Sequence, residues 1–423
     1  MKRFIIFLIL ICLIGFLYFK FFLSKRQNLE YILKDVEDIS FDIEDYKIFG
    51  THFNISACID ESLSDKLELV LKNNNEEISI DANFKYEDNK TCVYLSDKNN
   101  EGLLLDDLNL GKYILLVKSN LEEVKYYTFN NKTKYGALEY YSITNNESNK
   151  KINIDFENYK NINYVKFMIG KSILPDDVYD ITIDAGHGGV DIGASGNLDG
   201  EVYNESDITL KISKELKENL TDLGLKVKLT REDDSYLEPY GDTGRAVIPN
   251  KYKSKYSISI HLNSFEGKMN YGGVEVYTAN DINYDLSKLF ADNISDIVGY
   301  SKKQTDKIDN GIYFTYFKEE NIKNSNDEMI KKGFRTYDIK LGAPYMYMIR
   351  EVGGKSTYAY VDGRNKKNGL NEFYNSNQTA EPYLLELGYI NYKNDLDKFI
   401  NDSDTFANAI SEALKTYLNI SQK

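Results

Sequence analysis

From residue 178 onward, hydrophobic positions change between the spacing of β-strands and that of α-helices. An apolar run at 178–184 is followed by Ile208, Ile212, Leu216 and Leu220, which recur every four residues and predict one buried helix face. Such alternation predicts a twisted, mostly parallel sheet flanked by helices. Further strands are predicted at 225–230, 256–261, 274–277, 345–350 and 382–387, and further helices at 245–253, 286–298 and 406–418.

Residues 41–170 follow a different pattern, of short alternating runs separated by turns rich in Asn and Asp. This spacing predicts a small all-β, sandwich-like domain. The region contains no proline, and all five prolines of the chain lie at Pro175 or later. We therefore expect a β-rich domain at 27–175 and an α/β domain at 176–423.

The amino terminus has the pattern of a membrane anchor. Lys2 and Arg3 precede a run that carries no charge from Phe4 to Phe19 and continues, past Lys20, to Leu23. Twenty residues are enough to cross a bilayer as a helix. A cleavable signal peptide is the alternative, but the small residues that a cleavage site needs are missing at 16–23. The sequence therefore favours an uncleaved transmembrane helix within residues 1–26.

Composition argues against one class of partner and does not decide whether two of the cysteines form a disulfide. A net charge of −14 over 423 residues argues against nucleic acid as a ligand. Cys12 lies in the predicted span, whereas Cys58 and Cys92 lie in strand-like runs outside it. These two would be able to form a disulfide if the region is exported, and otherwise are two buried thiols. Both readings stay open.

Two of only three histidines follow predicted strands. His187 comes after the strand at 178–184, His261 ends the strand at 256–261, and Glu205 begins the helix between them. Residues at the carboxyl ends of parallel strands converge at one sheet edge. Two imidazoles and a carboxylate are a common ligand set for catalytic Zn²⁺. Alone, Glu205 would be an ordinary first-turn carboxylate, and His52, in the β-rich region, is expected to be structural.

A glutamate in an apolar strand is the candidate acid/base. Glu386 lies in the run Leu384-Leu385-Glu386-Leu387, where charge is costly. We expect it to face a metal-bound water with a raised pKa suited to proton transfer. An ion pair with Arg350 or Arg245 is the alternative reading. Further candidates for acid/base work, or for supporting the metal ligands, are Glu275, Asn263 and Arg350, and Asn263 has a turn cap as its alternative role.

Residues 180–420 resemble the zinc-dependent N-acetylmuramoyl-L-alanine amidases of the Amidase_3 family. The resemblance rests on DAGHGGVDIGASG at 184–196, Glu205-Ser206-Asp207, Thr230-Arg231, Arg245 with Asn250, SIHLNS at 259–264, GVEVY at 273–277 and ELGYIN at 386–391. It implies zinc ligands at His187, Glu205 and His261 and a catalytic glutamate at Glu386. It also implies cleavage of the amide between N-acetylmuramic acid and L-alanine in peptidoglycan.

The chain departs from this family in length. Two polar stretches, at 316–340 and 352–380, are longer than the family pattern, and we hypothesise that one covers the zinc groove. The predicted anchor implies a single-pass protein of the cell membrane. Peptidoglycan as substrate implies that its catalytic domain lies outside the cytoplasm. An activator protein is a possible partner that the sequence does not identify.

Two other functions stay open, and two others are disfavoured. A non-catalytic protein that binds or scaffolds peptidoglycan and a zinc peptidase acting on stem peptides are the alternatives. Non-haem iron also accepts two histidines and a carboxylate, but such sites are usual in β-barrels, which this pattern does not predict. The HExxH motif of helix-borne metalloproteases is absent from the sequence.

Overall fold

A computed structural model describes most of the chain from residue 29 to residue 420. It leaves out 1–28, 64–65, 96–101, 121–122, 144–148, 240–242, 266–272, 280–283, 299–310, 332, 334–335, 337–338, 360–375 and 421–423. The predicted anchor at 1–26 therefore lies outside the described residues. Within the described ranges, no helix is both long enough and apolar enough to cross a membrane.

The first half of the chain is all-β. Its strands are β1 Val36–Phe49, β2 His52–Ile59, β3 Leu67–Lys72, β4 Glu77–Ile80, β5 Asn83–Glu87, β6 Lys90–Leu95, β7 Leu103–Leu104, β8 Gly111–Asn120, β9 Val124–Asn131, β10 Leu138–Tyr141, β11 Lys150–Tyr159 and β12 Ile162–Lys171. The all-β prediction is confirmed, but these strands belong to one continuous hydrogen-bonded sheet rather than to two separate sheets. We call this part the sheet domain.

The sheet domain is held by its core and by one disulfide. Phe41, Phe53, Leu115 and Phe167, from four different strands, are fully buried in one apolar cluster. Cys58 and Cys92 lie opposite each other in the antiparallel pair of β2 and β6 and form a disulfide. The register therefore answers the question that the cysteine spacing left open.

The second half carries a mixed sheet of six strands. They are β13 Ile181–Ala185, β16 Val227–Leu229, β17 Tyr256–Asn263, β18 Glu275–Thr278, β19 Ile312–Tyr313 and β21 Glu381–Tyr389, in the order β16-β13-β17-β21-β18-β19. All neighbouring pairs among these described strands are parallel except β18 with β21. A separate hairpin is formed by β14 Ser195–Leu198 and β15 Glu201–Asn204, and β20 Gln378–Thr379 joins the first sheet beside β1.

Helices flank the six-stranded sheet. They are α1 Glu205–Asp222, α2 Ile248–Lys251, α3 Tyr284–Val298, α4 Glu319–Lys331, α5 Tyr347–Val352, α6 Lys393–Asn401 and α7 Ser403–Tyr417. Ile212, Leu216 and Leu220 of α1 are fully buried, which confirms the four-residue spacing. They share one core with Ile258 of β17 and Ile410 of α7. We call this half the α/β domain.

Two predicted elements differ from the structure. Residues 345–350 were expected to form a strand, but 347–352 are the helix α5, whose Met348, Ile349 and Val352 are buried. A short apolar run does not distinguish a buried helix from a buried strand by periodicity. The helix expected at 245–253 is limited to the four residues of α2.

The two long stretches contain ordered elements. The first holds α4, and the second holds a 3-10 helix at Gly354–Thr357 and the strand β20. Because β20 pairs with β1, the described end of the second stretch lies against the sheet domain. Residues 360–375 are outside the described residues, so the covering of the groove stays a prediction.

Candidate metal centre

Strand register brings the candidate side chains to one edge of the sheet. β17 runs parallel to both β13 and β21, with Ala185 beside Ile260 and His261 beside Glu386. His187 follows β13 by two residues, so its side chain reaches the same edge. The parallel arrangement therefore gathers at one edge residues that lie up to 199 positions apart in the chain.

His187, Glu205 and His261 each place one ligand atom within 4.8 Å of the other two. Glu205 Oε1 lies 3.2 Å from His187 Nε2 and 3.0 Å from His261 Nδ1. The two imidazole rings meet edge to face, with centroids 4.9 Å apart. The structure thus brings together the three residues that the sequence proposed as metal ligands.

Glu205 is fixed at the first residue of α1. Its Oε1 accepts a hydrogen bond from the Leu262 amide at 3.0 Å, and its Oε2 accepts one from the Ala194 amide at 2.9 Å. Although burial opposes the charged form, hydrogen bonds and charge from the two histidines lower the pKa of Glu205. The carboxylate is therefore buried, ionised and held on both oxygens.

His187 has a left-handed backbone with φ +60°. Its Nδ1 lies 2.9 Å from Asp191 Oδ2. Burial disfavours the charged imidazole, but hydrogen bonds and charge from Glu205 and Asp191 outweigh it and raise the pKa of His187. A carboxylate on the far ring nitrogen is the usual way in which proteins orient a metal-binding histidine.

Close packing leaves no room for side chains at two glycines of this loop. A Cβ at Gly186 would lie 2.5 Å from His261 Cε1, and one at Gly193 would lie 2.6 Å from Glu205 Oε2. Gly193 also has φ +67°, which glycine adopts without strain. Glycine at these two positions thus allows the loop to approach the ligands.

One carboxylate oxygen of Glu386 is buried at this edge of the sheet. Its Oε2 has no hydrogen-bond partner in the part of the chain that the structure describes. Burial, followed by the charges of Glu205 and Glu275, raises the pKa of Glu386 well above its ordinary value. Neither arginine of the alternative reading pairs with it, since Arg245 pairs with Asp184 and Arg350 with Glu351.

Glu275 lies on the other side of Glu386, opposite it in the antiparallel pair of β18 and β21. Its Oε2 accepts a hydrogen bond from the Tyr277 hydroxyl at 2.8 Å, and its Oε1 accepts one from the Tyr389 hydroxyl at 2.5 Å. Both carboxylate oxygens are therefore used within the protein. Glu275 adds negative charge next to Glu386 and does not compete for its role.

The other two candidates do not contact the three ligands through any hydrogen bond found among the described residues. Asn263 Oδ1 accepts the Ser264 amide at 2.8 Å, which is the turn-cap role. Arg350, on α5, donates to Glu351 Oε1 at 3.0 Å and to the Pro344 carbonyl at 2.9 Å. Its contacts hold the segment before α5, and its role in acid/base work stays a prediction.

A group of buried charged residues behind the ligands was missed as a functional group by sequence reasoning. Asp184 accepts hydrogen bonds from Thr230, at 2.8 Å, and Ser259, at 2.7 Å, and pairs with Arg245 at 3.3 Å. Arg245 also donates to the carbonyl of His187, and Arg231 to that of Gly186. An aspartate in an apolar strand was the available signal, and its partners shape the loop that carries His187.

The donor set fits a divalent cation. Two imidazoles and an ionised carboxylate converge, and the buried His261 Nε2 has no hydrogen-bond partner among the described residues. Nitrogen and carboxylate donors suit Zn²⁺ and several other transition metals. The residues therefore form a candidate metal centre, and the identity of the metal is a matter for experiment.

A mixed sheet flanked by helices, with two imidazoles at its strand ends and a carboxylate at the start of α1, defines an α/β protein with a candidate metal site. Residues 181–334 match the model of the Amidase_3 family, N-acetylmuramoyl-L-alanine amidase, so the chain contains an Amidase_3 domain. The matched range contains all three ligand residues and ends before Glu386.

Individual relatives match parts of the chain. It is 38% identical over 102 residues to the probable cell wall amidase LytH of Staphylococcus aureus, which is 24% of this chain and 31% of LytH. The chain thus spans about a third of the length of the curated relatives it matches. The amidase AmiC2 of Nostoc punctiforme is 23% identical, over 57% of this chain and 98% of its own, with a TM-score of 0.37. The catalytic domain of CwlV from Bacillus (Paenibacillus) polymyxa var. colistinus is 20% identical, over 58% and 100%, with a TM-score of 0.39.

Proposed function

We propose that this chain is a zinc-dependent N-acetylmuramoyl-L-alanine amidase that hydrolyses the amide between N-acetylmuramic acid and L-alanine in peptidoglycan. The observation that carries the proposal is the convergence of His187, Glu205 and His261, with Glu386 on the strand beside His261. The Amidase_3 match over residues 181–334 supports the substrate class.

In the proposed reaction, His187, Glu205 and His261 hold the metal and Glu386 transfers protons. When bound, zinc supplies Lewis acidity, which lowers the pKa of a water from about 16 to about 7 and polarises a carbonyl. Glu386 takes the proton of the attacking water at its carboxylate and gives it to the departing alanine nitrogen. Its buried position and raised pKa suit a group that must hold that proton between the two transfers.

The remaining residues hold the reacting groups in place. Asp191 orients the His187 ring, and the amides of Ala194 and Leu262 fix both oxygens of Glu205. Arg231 and Arg245 hold the carbonyls of the 185–187 segment. This rigid frame lets the site bind substrate with little rearrangement, which is how positioning lowers a reaction barrier.

Location belongs to the same proposal. Peptidoglycan lies outside the cytoplasmic membrane, so the α/β domain must face that side. We propose that residues 1–26 anchor the chain in the membrane with the amino terminus inside. The disulfide between Cys58 and Cys92 supports export, since disulfides persist in oxidising compartments.

Mass spectrometry of purified peptidoglycan digested by the zinc-loaded protein tests the function. The expected products are free peptides that begin with L-alanine, together with peptide-free glycan. Cleavage inside the stem peptides would instead identify a zinc peptidase. An unchanged wall, from protein whose zinc content equals one per chain, would leave only a binding or scaffold role. A chelator-treated sample is the control for metal dependence.

A further inference from the structure

The sheet domain covers the amino ends of the strands whose carboxyl ends carry the metal centre. Asp180 directly precedes β13, Lys255 directly precedes β17, and Glu381 begins β21. The Lys255 amide donates to the Asp180 carbonyl, and the Glu381 amide donates to the Lys255 carbonyl. Lys255 lies near Tyr140 and Glu381 near Gly50, both in the sheet domain, whereas His187, His261 and Glu386 lie towards the opposite edge.

A buried charge lies at the centre of this contact. Lys255 is almost fully buried, with its Nζ 3.3 Å from Asp180 Oδ1 and 5.9 Å from the ring centroid of Tyr140 in the sheet domain. Asp106 of the sheet domain, whose Oδ1 accepts the Tyr140 hydroxyl at 2.8 Å, adds a second negative charge near Lys255. Separating the domains would expose Lys255 and remove Tyr140 and Asp106 from it, whereas its pair with Asp180, inside the α/β domain, would remain. The buried lysine therefore favours the docked arrangement.

Hydrogen bonds between the backbones reinforce the contact. The Ile48 amide donates to the Asn377 carbonyl at 2.7 Å, and the Gly50 amide donates to the Thr379 carbonyl at 2.9 Å. In this way β20, from the segment that leads into β21, extends the sheet of the other domain beside β1. Main-chain pairing of this kind permits little independent rotation.

Side chains close the rim of the same contact. Thr51 Oγ1 lies 3.3 Å from the Tyr256 hydroxyl. Lys253 Nζ lies 3.1 Å from Glu139 Oε1, and Gln378 Nε2 donates to the Glu139 carbonyl at 2.9 Å. Thr51 and Glu139, from two parts of the sheet domain, thus add contacts at the amino edge of the six-stranded sheet.

β1 connects two ends of the sheet domain. It has 14 residues, which would span about 43 Å from Val36 to Phe49 in a straight strand, and the register shifts in its pairings shorten this distance. The Phe49 end adjoins the α/β domain, whereas residues 29–33 pack at the Val36 end. Glu30 there accepts a hydrogen bond from the hydroxyl of Tyr159, beside the turn between β11 and β12. The amino-terminal segment therefore joins the end that is remote from the α/β domain.

We propose that the sheet domain is a rigid spacer, docked on the amino edge of the α/β sheet, that holds the metal centre at a fixed distance from the chain's amino-terminal segment and facing away from it. β17 adds about 17 Å between Tyr256, at the docked edge, and His261. The arrangement is independent of which bond the centre cleaves. If the proposed wall hydrolysis is also correct, the spacer limits hydrolysis to the peptidoglycan strands that lie at one distance from the amino-terminal segment.

Distances between two spin labels in the full chain test the spacer. We would place labels at Tyr31→Cys and Val190→Cys, whose native side chains are 62% and 88% exposed, in a Cys12→Ser background that keeps the disulfide. We expect one narrow distance distribution by double electron–electron resonance. A broad distance distribution, or one with several maxima, would overturn the proposal. This test needs no substitution at the contact between the domains.

A pair of neighbouring lysines supplies the matched comparison. Lys255→Ala removes the buried charge, whereas Lys253→Ala removes only the rim contact with Glu139. We expect the distribution to broaden at least twofold for Lys255→Ala and to stay unchanged for Lys253→Ala. Equal narrow distributions for both would show that the buried network does not hold the domains.

Turnover of soluble muropeptides separates a spacer from a part of the site. We expect Lys255→Ala to stay within about twofold of the unchanged protein, because the docked edge lies at the other end of β17 from His261. A tenfold loss at full zinc content would mean that the contact acts on the centre, and would overturn the spacer role. Absence of turnover in the unchanged protein would refute the proposed function, while the distance measurement still decides the spacer.

Discussion

Glu386 and Glu275 lie directly opposite each other across the antiparallel pair of β21 and β18. Tyrosine hydroxyls occupy both oxygens of Glu275, whereas Oε2 of Glu386 is buried and has no hydrogen-bond partner among the described residues. Burial, followed by the charges of Glu205 and Glu275, raises the pKa of Glu386. The pair thus assigns proton transfer to Glu386 and an electrostatic role to Glu275.

Replacing Glu386 tests the proton-transfer role. Glu386→Gln keeps the size of the side chain and removes its ability to carry a proton between water and the leaving nitrogen. We expect kcat to fall by about 10²- to 10⁴-fold with the zinc content unchanged. Glu412→Gln, on the surface of α7, is the matched control and should keep full activity. An active, zinc-replete Glu386→Gln protein would remove this residue from the mechanism.

Replacing Glu275 tests its electrostatic role through the pH profile. The charge of Glu275 is one cause that raises the pKa of Glu386, so Glu275→Gln should lower that pKa. The base form of Glu386 would then persist to lower pH. We therefore expect the acidic limb of the kcat/KM profile to move to lower pH, with the metal content unchanged. A limb that stays in place or moves to higher pH would contradict the assignment.

The sequence predicted those parts of the fold and site that local patterns determine. The spacing of Ile208, Ile212, Leu216 and Leu220 predicts α1 because one face of a helix must be buried. His187, Glu205 and His261 were predictable together, because parallel strands place their carboxyl ends at one edge. In both cases the prediction uses only the position of each residue within its own strand or helix.

What the sequence did not predict depends on distant contacts. Asp184 is visible as a charge in an apolar strand, but its partner Arg245 lies 61 residues away. The helix α5 replaces a predicted strand, since burial on all sides removes the periodicity that separates the two. The docking of Lys255 against Tyr140 likewise follows from how two domains meet, and no local pattern encodes it.

Removing Asp191 should weaken metal binding. Its carboxylate lies 2.9 Å from His187 Nδ1 and fixes the ring that presents Nε2 to the metal. Loss of such a supporting group typically costs 10- to 100-fold in metal affinity, and we expect that range for Asp191→Ala by chelator competition. Asp199→Ala, in an exposed ion pair with Lys393, is the control. Equal zinc affinity in both variants would show that Asp191 does not support His187.

A methyl group at Gly186 should displace His261. The added Cβ would lie 2.5 Å from His261 Cε1, whereas one at Gly170 would meet nothing within 4 Å. We expect Gly186→Ala to lose most of its bound zinc while circular dichroism shows the fold retained, and Gly170→Ala to keep it. Full zinc occupancy in Gly186→Ala, measured by elemental analysis, would show that the ring can move without loss of the ligand geometry.

The third histidine should make stability depend on pH. Burial of His52 in the sheet domain lowers its pKa from 6.5 to about 4. Between these values the unfolded chain binds a proton that the folded chain does not, so stability falls as the pH drops from about 6.5 to about 4. The full effect is about 3 kcal/mol at 1.36 kcal/mol per pKa unit.

His52→Gln isolates this contribution, because the packing that it changes does not depend on pH. We expect urea unfolding at pH 7.0 and at pH 4.5 to show a smaller loss of unfolding free energy in His52→Gln than in the unchanged protein, by roughly 2–3 kcal/mol. Both proteins keep every other titrating group, so the difference between their two losses reports His52 alone. Identical losses would mean that His52 is protonated in the folded sheet domain, against the burial seen beside Thr51.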